Sequence, residues 1–358
     1  MNTLADLKEV HISRKNIEQM LAFSRTVMDL STNAAYAQSI QEHLPETANA
    51  MSDEAPILMG FDFHITDDGP KLIEINNNAG GLFAGDSGWI AQDDAAWEEW
   101  QQPLPARLLS MFPASWQSIA IMDEAVDDQY MYPEMQAYAA LLRQDGRQVC
   151  LVSPEDIREA DDGLYVGTQR LDGIYNRHCD FYLESDAMAH IRRALMSGLV
   201  RLNPYPRSYA FLGHKARMVD WWRDGVLEGC MPEAQVRNMR HIVPRIHAMS
   251  AIEREEWWRT RKQWVFKPEA RHGGKGVLLG KGMSRKRFDG MDASDTVVQE
   301  LVPASVLEHE GRAYKFDIRL YMYGHTLVAL AGRLWRGQVT NFREEGSGWT
   351  SIRIDDEG

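Results

Sequence analysis

The chain has 358 residues, 44% hydrophobic and 25% charged, an ordinary globular composition with room for two or three domains. Its 39 Lys and Arg against 52 Asp and Glu leave a net charge of −13 with no basic run, which argues against a nucleic-acid partner. Cys150, Cys179 and Cys230 show no Cys-x-x-Cys spacing, the N-terminus lacks an apolar signal region, and no apolar run approaches the ~20 residues of a membrane span; a cytoplasmic location is the expectation.

Residues 13 to 45 are predicted helical. Ile17, Met20, Leu21, Ser24 and Met28 recur at i, i+3, i+4 spacing, and Ser31-Thr32-Asn33 offers a cap before a second helix. The stretch 60–81, GFDFHITDDGPKLIEINNNAGG, then predicts a hairpin turning at Asp67-Asp68-Gly69-Pro70. Period two places Glu74 and Asn76 on one face with Leu72 beside them, and Ile73 and Ile75 opposite; Asp62 on the partner strand reaches the same end. Two carboxylates and an amide oxygen at one point suit Mg²⁺ rather than a soft metal, and the alternative is a solvated acidic hairpin. The small polar run after it, containing Asn77, Asn78, Gly80 and Gly81, lets backbone approach a ligand closely.

A Trp-rich acidic helix is expected near residues 89–100, then a proline-bearing connection over 103–113. From Ser118 to about residue 203 the order strand, helix, strand, hairpin, strand predicts an α/β unit with a largely parallel sheet. Arg177 stands at the carboxyl end of one of its strands, where open α/β sheets contact ligands; a surface salt bridge is the other reading. After a loop with two prolines comes a helix carrying Lys215.

Residues 264–266 form an apolar strand ending in Lys267, followed by a polar segment, 269–276, holding Gly273, Gly274, Lys275 and Gly276. A lysine at a strand end before a glycine-rich hairpin loop suits a triphosphate, although the spacing is not that of a Walker A loop; an ordinary turn between two strands is the other reading. The strand 297–302 has Gln299, Glu300 and Leu301 placed to meet an adenine edge. Two further strands, 314–324 and 325–337, set Asp317, Arg319 and Arg333 among apolar residues, so these charges need partners or anionic ligands. Asn341 lies in a glycine-containing final loop.

In this order the parts resemble the ATP-grasp superfamily of carboxylate-amine ligases. VFKPEARHGGKGV resembles its lysine strand and glycine-rich lid, VVQELV its adenine-binding strand, and FDIRLYMYG followed by GRLWRGQVTNFREEGSG the D-x-R strand and arginine-to-T-N-F loop of ribosomal-protein glutamate ligases. The D…E-x-N hairpin, which follows these parts in those enzymes, stands here at the N-terminus. The arrangement looks like the circular permutation of eukaryotic glutathione synthetase and glutathionylspermidine synthetase, whose metal segment resembles 61–83 and whose first ATP-contacting lysine matches Lys215.

The resemblance implies an α/β (α+β) fold of circularly permuted ATP-grasp type with an inserted Rossmann-like substrate-side domain. Its parts would be an N-terminal segment with helices and the Mg-binding hairpin (1–114), a pre-ATP-grasp-like α/β domain (115–203), and the nucleotide-binding subdomains with the lid (204–358). It implies ATP and Mg²⁺ as cofactors and an ATP-dependent carboxylate-amine ligase working through an acyl phosphate. A small-molecule kinase or a non-catalytic nucleotide-binding protein on the same scaffold are the alternatives. By the same resemblance Lys215, Lys267, the loop glycines and Lys275, and Gln299 to Leu301 bind the nucleotide, and Asp62, Glu74 and Asn76 hold the metal. Arg319, Arg333 and Lys267 carry the phosphoryl step; Asn77, Asn78, Gly80, Gly81, Arg177 and Asn341 face the substrates. The partners would be a small carboxylate and an amine, an amino acid or short peptide, with a homodimer offered by analogy. Two positions depart from the pattern: Gly60 replaces a phosphate-side arginine, and Arg271 stands where glutathione synthetase has an acidic metal contact.

Overall fold

The computed structural model describes residues 10–50, 52, 54–83, 102–269, 276–338 and 347–355. Its centre is a six-stranded antiparallel sheet in the order Gly348–Thr350, Thr326–Trp335, Arg312–Tyr323, Met59–Thr66, Gly69–Asn76, with Ser305–His309 paired to the start of Arg312–Tyr323. The N-terminal hairpin is therefore built into a sheet whose other strands come from the end of the chain, in a register that sets Asp62 opposite Arg319.

Alternation along these strands gives the sheet two unlike faces. One carries Phe61, Phe63, Leu72, Ile75, Ile318, Leu320 and Leu334 into a core with Ile17, Met20, Phe23 and Val27 of the helix Arg14–Leu30. Phe23 meets Phe63 edge to face at 5.8 Å. Ser13 caps that helix by accepting the Asn16 N–H, and Asn33 does the same for Tyr36 of the next one, Ala34–Ile40. The expected helical region thus divides at a turn.

Toward its other side the sheet packs Tyr321, Val328, Ala331 and Trp349 against Ile119, Ile121, Tyr138 and Tyr175 of the parallel unit. That unit is a four-stranded parallel sheet ordered Arg201–Asn203, Gly173–Asn176, Ser118–Met122, Gln148–Val152, crossed by the helix Tyr132–Gln144. Because Gly173–Asn176 and Ser118–Met122 are neighbours whose outer partners lie on opposite sides, their carboxyl ends form the sheet's crevice. A third, antiparallel sheet takes Ile246–Ala248, Thr296–Glu300, Trp264–Pro268 and Leu278–Leu279.

Several elements differ from the sequence expectation. A helix, Leu104–Ser110, occupies the proline-bearing connection, because proline is compatible with a first helical turn. Residues 206–213 are helical where a loop was expected. Gln299 and Glu300 lie at the end of their strand rather than its middle. Val10–Ser13 pairs in parallel with Ile352–Asp355, a contact between distant segments for which period and propensity give no signal. The expected Trp-rich helix lies outside the described residues. Among the described residues no helix is long and apolar enough to cross a membrane.

Candidate active site

The hairpin is not a regular ladder. Asp62 pairs with Glu74 but Phe63 pairs with Leu72, so Ile73 is an extra residue in a bulge. Beyond it the alternation reverses. Leu72 points into the core with Phe63 instead of lying beside Glu74 as strict period two requires. The bulge also frees the Ile73 carbonyl, which accepts from Lys267 Nζ at 2.9 Å.

Asp62 is fully buried and saturated. Its Oδ1 accepts from Arg319 Nε at 2.6 Å, and its Oδ2 from Arg319 Nη2 and Arg333 Nη2, each at 2.7 Å, and from Asn76 Nδ2 at 3.1 Å. Arg333 also grips Asp317 through Nε at 2.6 Å and Nη2 at 2.7 Å. The buried charges of these strands thus answer one another, as burial demands. Burial alone would raise the Asp62 carboxyl, but the two guanidiniums outweigh it and hold it at about 2. For Asp317 burial prevails over Arg333 and pushes the carboxyl up to about 6.

The three expected metal ligands do meet at this end of the hairpin. Their donor types suit a hard cation. Their orientation is a closed one: Asn76 turns its N–H₂ to Asp62 and, at 3.4 Å, to Glu74, while guanidinium nitrogens take the Asp62 lone pairs. Among the described residues no group of three His, Cys, Asp or Glu could hold a metal, so a cation here depends on the amide oxygen of Asn76. Rotating that amide by half a turn brings the oxygen to the carboxylate side, and in that sense the residues fit.

Two lysines approach from outside this sheet. Lys267 is buried, and burial with Lys215 nearby lowers its ammonium to about 8 against the pull of Glu74. Lys215, at the start of the helix Ala216–Trp222, is lowered chiefly by burial and donates to the Glu269 carbonyl at 3.3 Å. At the expected adenine edge, Gln299 Nε2 points to the Leu72 carbonyl at 3.4 Å. The Glu300 and Leu301 N–H groups are engaged too, donating to Arg245 O at 2.7 Å and Gln263 O at 2.8 Å. The edge therefore has carbonyls to offer more readily than amides. Gly276 is described; Gly273, Gly274, Lys275, Asn341 and the departing Arg271 lie outside the described residues.

Sequence reasoning missed His64, two residues beyond Asp62 on the same strand face. Its Nδ1 lies 3.1 Å from the Val302 carbonyl, so that nitrogen carries the proton; burial, with Lys267 and Arg333 nearby, lowers the imidazole to about 4 and keeps it neutral. Period two counted from Asp62 would have found it.

Arg177 does not form a surface salt bridge. It is buried, and its Nη1 donates to the carbonyls of Asn78 at 3.1 Å and Ala79 at 3.2 Å and to Tyr175 Oη at 3.2 Å. Its own carbonyl accepts from Asn78 Nδ2 at 2.8 Å. A second missed residue, Glu134, is buried beside it, with Oε1 3.6 Å from Arg177 Nη2; its Oε2 accepts from Gly81 N at 2.6 Å and Phe83 N at 3.3 Å. Gly80's carbonyl accepts from Arg319 Nη1 and Tyr321 Oη, both at 3.1 Å, and Asn77 Oδ1 accepts from Ser208 Oγ at 2.8 Å. The 77–83 segment thus lies between the Asp62 sheet face and the crevice of the parallel unit.

This closeness accounts for two glycines. A Cβ on Gly60 would stand 2.6 Å from Ala79 Cβ, so the segment occupies the space that an arginine side chain would need. Gly81 has φ +97°, and a Cβ there would stand 1.9 Å from Trp349 Cζ2. Gly81→Ala is expected to cost about 2–4 kcal/mol, read as a lower urea midpoint at unchanged m. An unmoved midpoint would contradict this packing.

No family model and no curated protein matches the chain. Solved structures do. A glutathione synthetase-like effector, GSS30, from Globodera pallida, in its apo form, superposes at TM-score 0.61 and 11% identity, covering 96% of this chain and 88% of that one. A protein of Methylobacillus flagellatus KT named as a gamma-glutamylcysteine synthetase superposes at TM-score 0.56 and 14% identity, covering 97% and 90%. At these identities the likeness concerns the fold, which is ATP-grasp-like and mixed α/β.

Proposed function

We propose that this chain is an ATP-dependent carboxylate-amine ligase, with its ATP-grasp parts in circularly permuted order and its domains divided at 1–114, 115–203 and 204–358. The observation that carries the reading is a convergence. Four cations, Lys215, Lys267, Arg319 and Arg333, gather around Asp62, Glu74 and Asn76 from segments far apart in sequence. An ordinary core has no use for two lysines whose ammonium groups are disfavoured by burial; a polyphosphate supplies the missing negative charge.

In this reading Lys215 and Lys267 hold the phosphates, the 269–276 segment covers them, and the 299–301 strand end takes the adenine. Asp62, Glu74 and Asn76 would hold Mg²⁺, which when bound would neutralise charge at the phosphates. A carboxylate oxygen of the substrate attacks the γ-phosphorus and ADP departs, leaving an acyl phosphate. Arg319 and Arg333 stabilise charge on the transferring group. An amine bound near Asn77, Asn78 or Asn341 then attacks the acyl carbon; phosphate leaves with the bonding pair and the amine releases a proton. Covering the site keeps water from the acyl phosphate. The substrate pair is a small carboxylate and an amine of amino-acid or short-peptide type, and the location is cytoplasmic.

The test is hydroxylamine trapping with ATP, Mg²⁺ and pooled amino acids and short peptides, reading ADP and hydroxamate together. Both products are expected, and the hydroxamate mass identifies the carboxylate. ADP without hydroxamate would replace the ligase by a kinase. Absence of both products together with absence of Mg–ATP binding would remove the nucleotide reading altogether.

A further inference from the structure

The polyphosphate site leaves Glu134 and Arg177 without a role, yet they form a buried charge pair outside it, 3.6 Å apart. Glu134 sits in the first turn of the helix Tyr132–Gln144, and Arg177 follows the strand Gly173–Asn176; both belong to the parallel unit. Neither is turned to solvent. Between them they bind one segment of another part of the chain, and by complementary polarity. Glu134 takes the amides of Gly81 and Phe83, with that of Leu82 also directed to it, while Arg177 takes the carbonyls of Asn78 and Ala79. Arg319 and Tyr321 hold the Gly80 carbonyl from the opposite side.

Continuous contacts therefore run from Asp62 through Arg319 to Gly80, and from Gly81 through Glu134 to Arg177. Trp349 closes the space beneath Gly81, and Met131 Cε and Arg177 Nη2 stand 3.0 and 3.1 Å from where a Cβ on Gly80 would be. A mobile glycine-bearing loop needs none of this. We propose that Glu134 and Arg177 are positioning residues, a carboxylate-guanidinium clamp that fixes the 77–83 segment against the Asp62 sheet face. The segment then forms a rigid floor on which the amine and carboxylate partners are oriented toward the phosphate site. The part concerning substrates rests on the ligase reading; the clamp itself does not.

The test uses the full chain with Glu134→Gln, which keeps the shape and loses the charge, and with Arg177→Lys, which keeps the charge and cannot reach both carbonyls. Glu134→Ala is avoided because it also removes the acceptor of the Gly81 and Phe83 amides and leaves a cavity in the core. Amide exchange over residues 77–83, read by mass spectrometry, is expected to speed up by about tenfold or more in either variant, with exchange over 118–122 unchanged. Affinity for Mg–adenylyl imidodiphosphate is expected to stay within about threefold, while hydroxamate formation falls by about a hundredfold. Unchanged exchange over 77–83 overturns the clamp whatever the activity. Faster exchange with undiminished hydroxamate formation overturns the positioning role and leaves a purely structural pair. If wild-type protein forms no hydroxamate, the ligase reading fails by itself and the exchange result still decides the clamp.

Discussion

Asp62→Ala is expected to lose about 3–5 kcal/mol of stability and all turnover, whereas Glu74→Ala loses turnover at a stability change within about 1 kcal/mol. The difference follows from what each carboxylate holds. Asp62 is completely buried and neutralises two buried guanidiniums. Removing it leaves Arg333 with Asp317, but leaves Arg319 with the Gly80 carbonyl and no anion. Glu74 is half-buried and loosely held, by a 3.4 Å hydrogen bond from Asn76, a contact with Asp62 and the attraction of Lys267, so water can replace it. Urea unfolding of the two variants beside wild type measures both terms. Equal stability of Asp62→Ala and wild type would show that the arginines do not depend on it; equal destabilisation by the two substitutions would remove the distinction between a structural and an open ligand. Asp62 holds its proton less tightly folded than unfolded, so its contribution is present above pH ~4 and lost as the pH falls toward 2.

Lys267→Met is expected to raise stability and to weaken nucleotide binding. With its ammonium lowered from 10.5 to about 8, the folded chain binds this proton less tightly than the unfolded chain does. Folding is therefore opposed at pH 7 by an amount on the order of 3 kcal/mol, and the opposition fades as the pH rises from 8 to 10.5. Phosphate oxygens beside the ammonium reverse this by favouring the charged form, so binding takes up a proton above pH 8. Wild-type affinity for Mg–adenylyl imidodiphosphate should then fall roughly tenfold between pH 7 and pH 9. In Lys267→Met it should be weaker at pH 7 and lack that tenfold fall. Calorimetric titration at the two pH values decides the matter. Equal affinities of wild type and variant at pH 7 would place the phosphates elsewhere.

Much of the fold was legible because its signals are local. The stripe from Ile17 to Met28, the turn at Asp67-Asp68, and the proline and glycine bounding the helix after Met131 all read directly. The pairing of the charged strands was half legible. That Asp317, Arg319 and Arg333 needed partners followed from burial cost, but that the two arginines share Asp62, 257 and 271 residues away, did not. Glu134 had an innocent local explanation, since an acid in a first helical turn complements the helix dipole, and so gave no warning of its second use. Arg177 was identified by its place at a strand end, and its sequence context could not show that the guanidinium turns inward.

The sequence by itself determined the alternating and helical segments, the residue types gathered at the hairpin end, and the order of parts that resembles an ATP-grasp chain. Those follow from steric and hydrophobic preferences acting over a few residues. Only the tertiary structure decided the register that sets Asp62 against Arg319, the bulge that turns Leu72 inward and frees the Ile73 carbonyl, and the closing of the 77–83 segment over Gly60. Each of these is a choice among nearly equivalent local geometries. It is settled by the cost of leaving a buried charge or a buried carbonyl without a partner, and that cost depends on segments the local sequence does not contain.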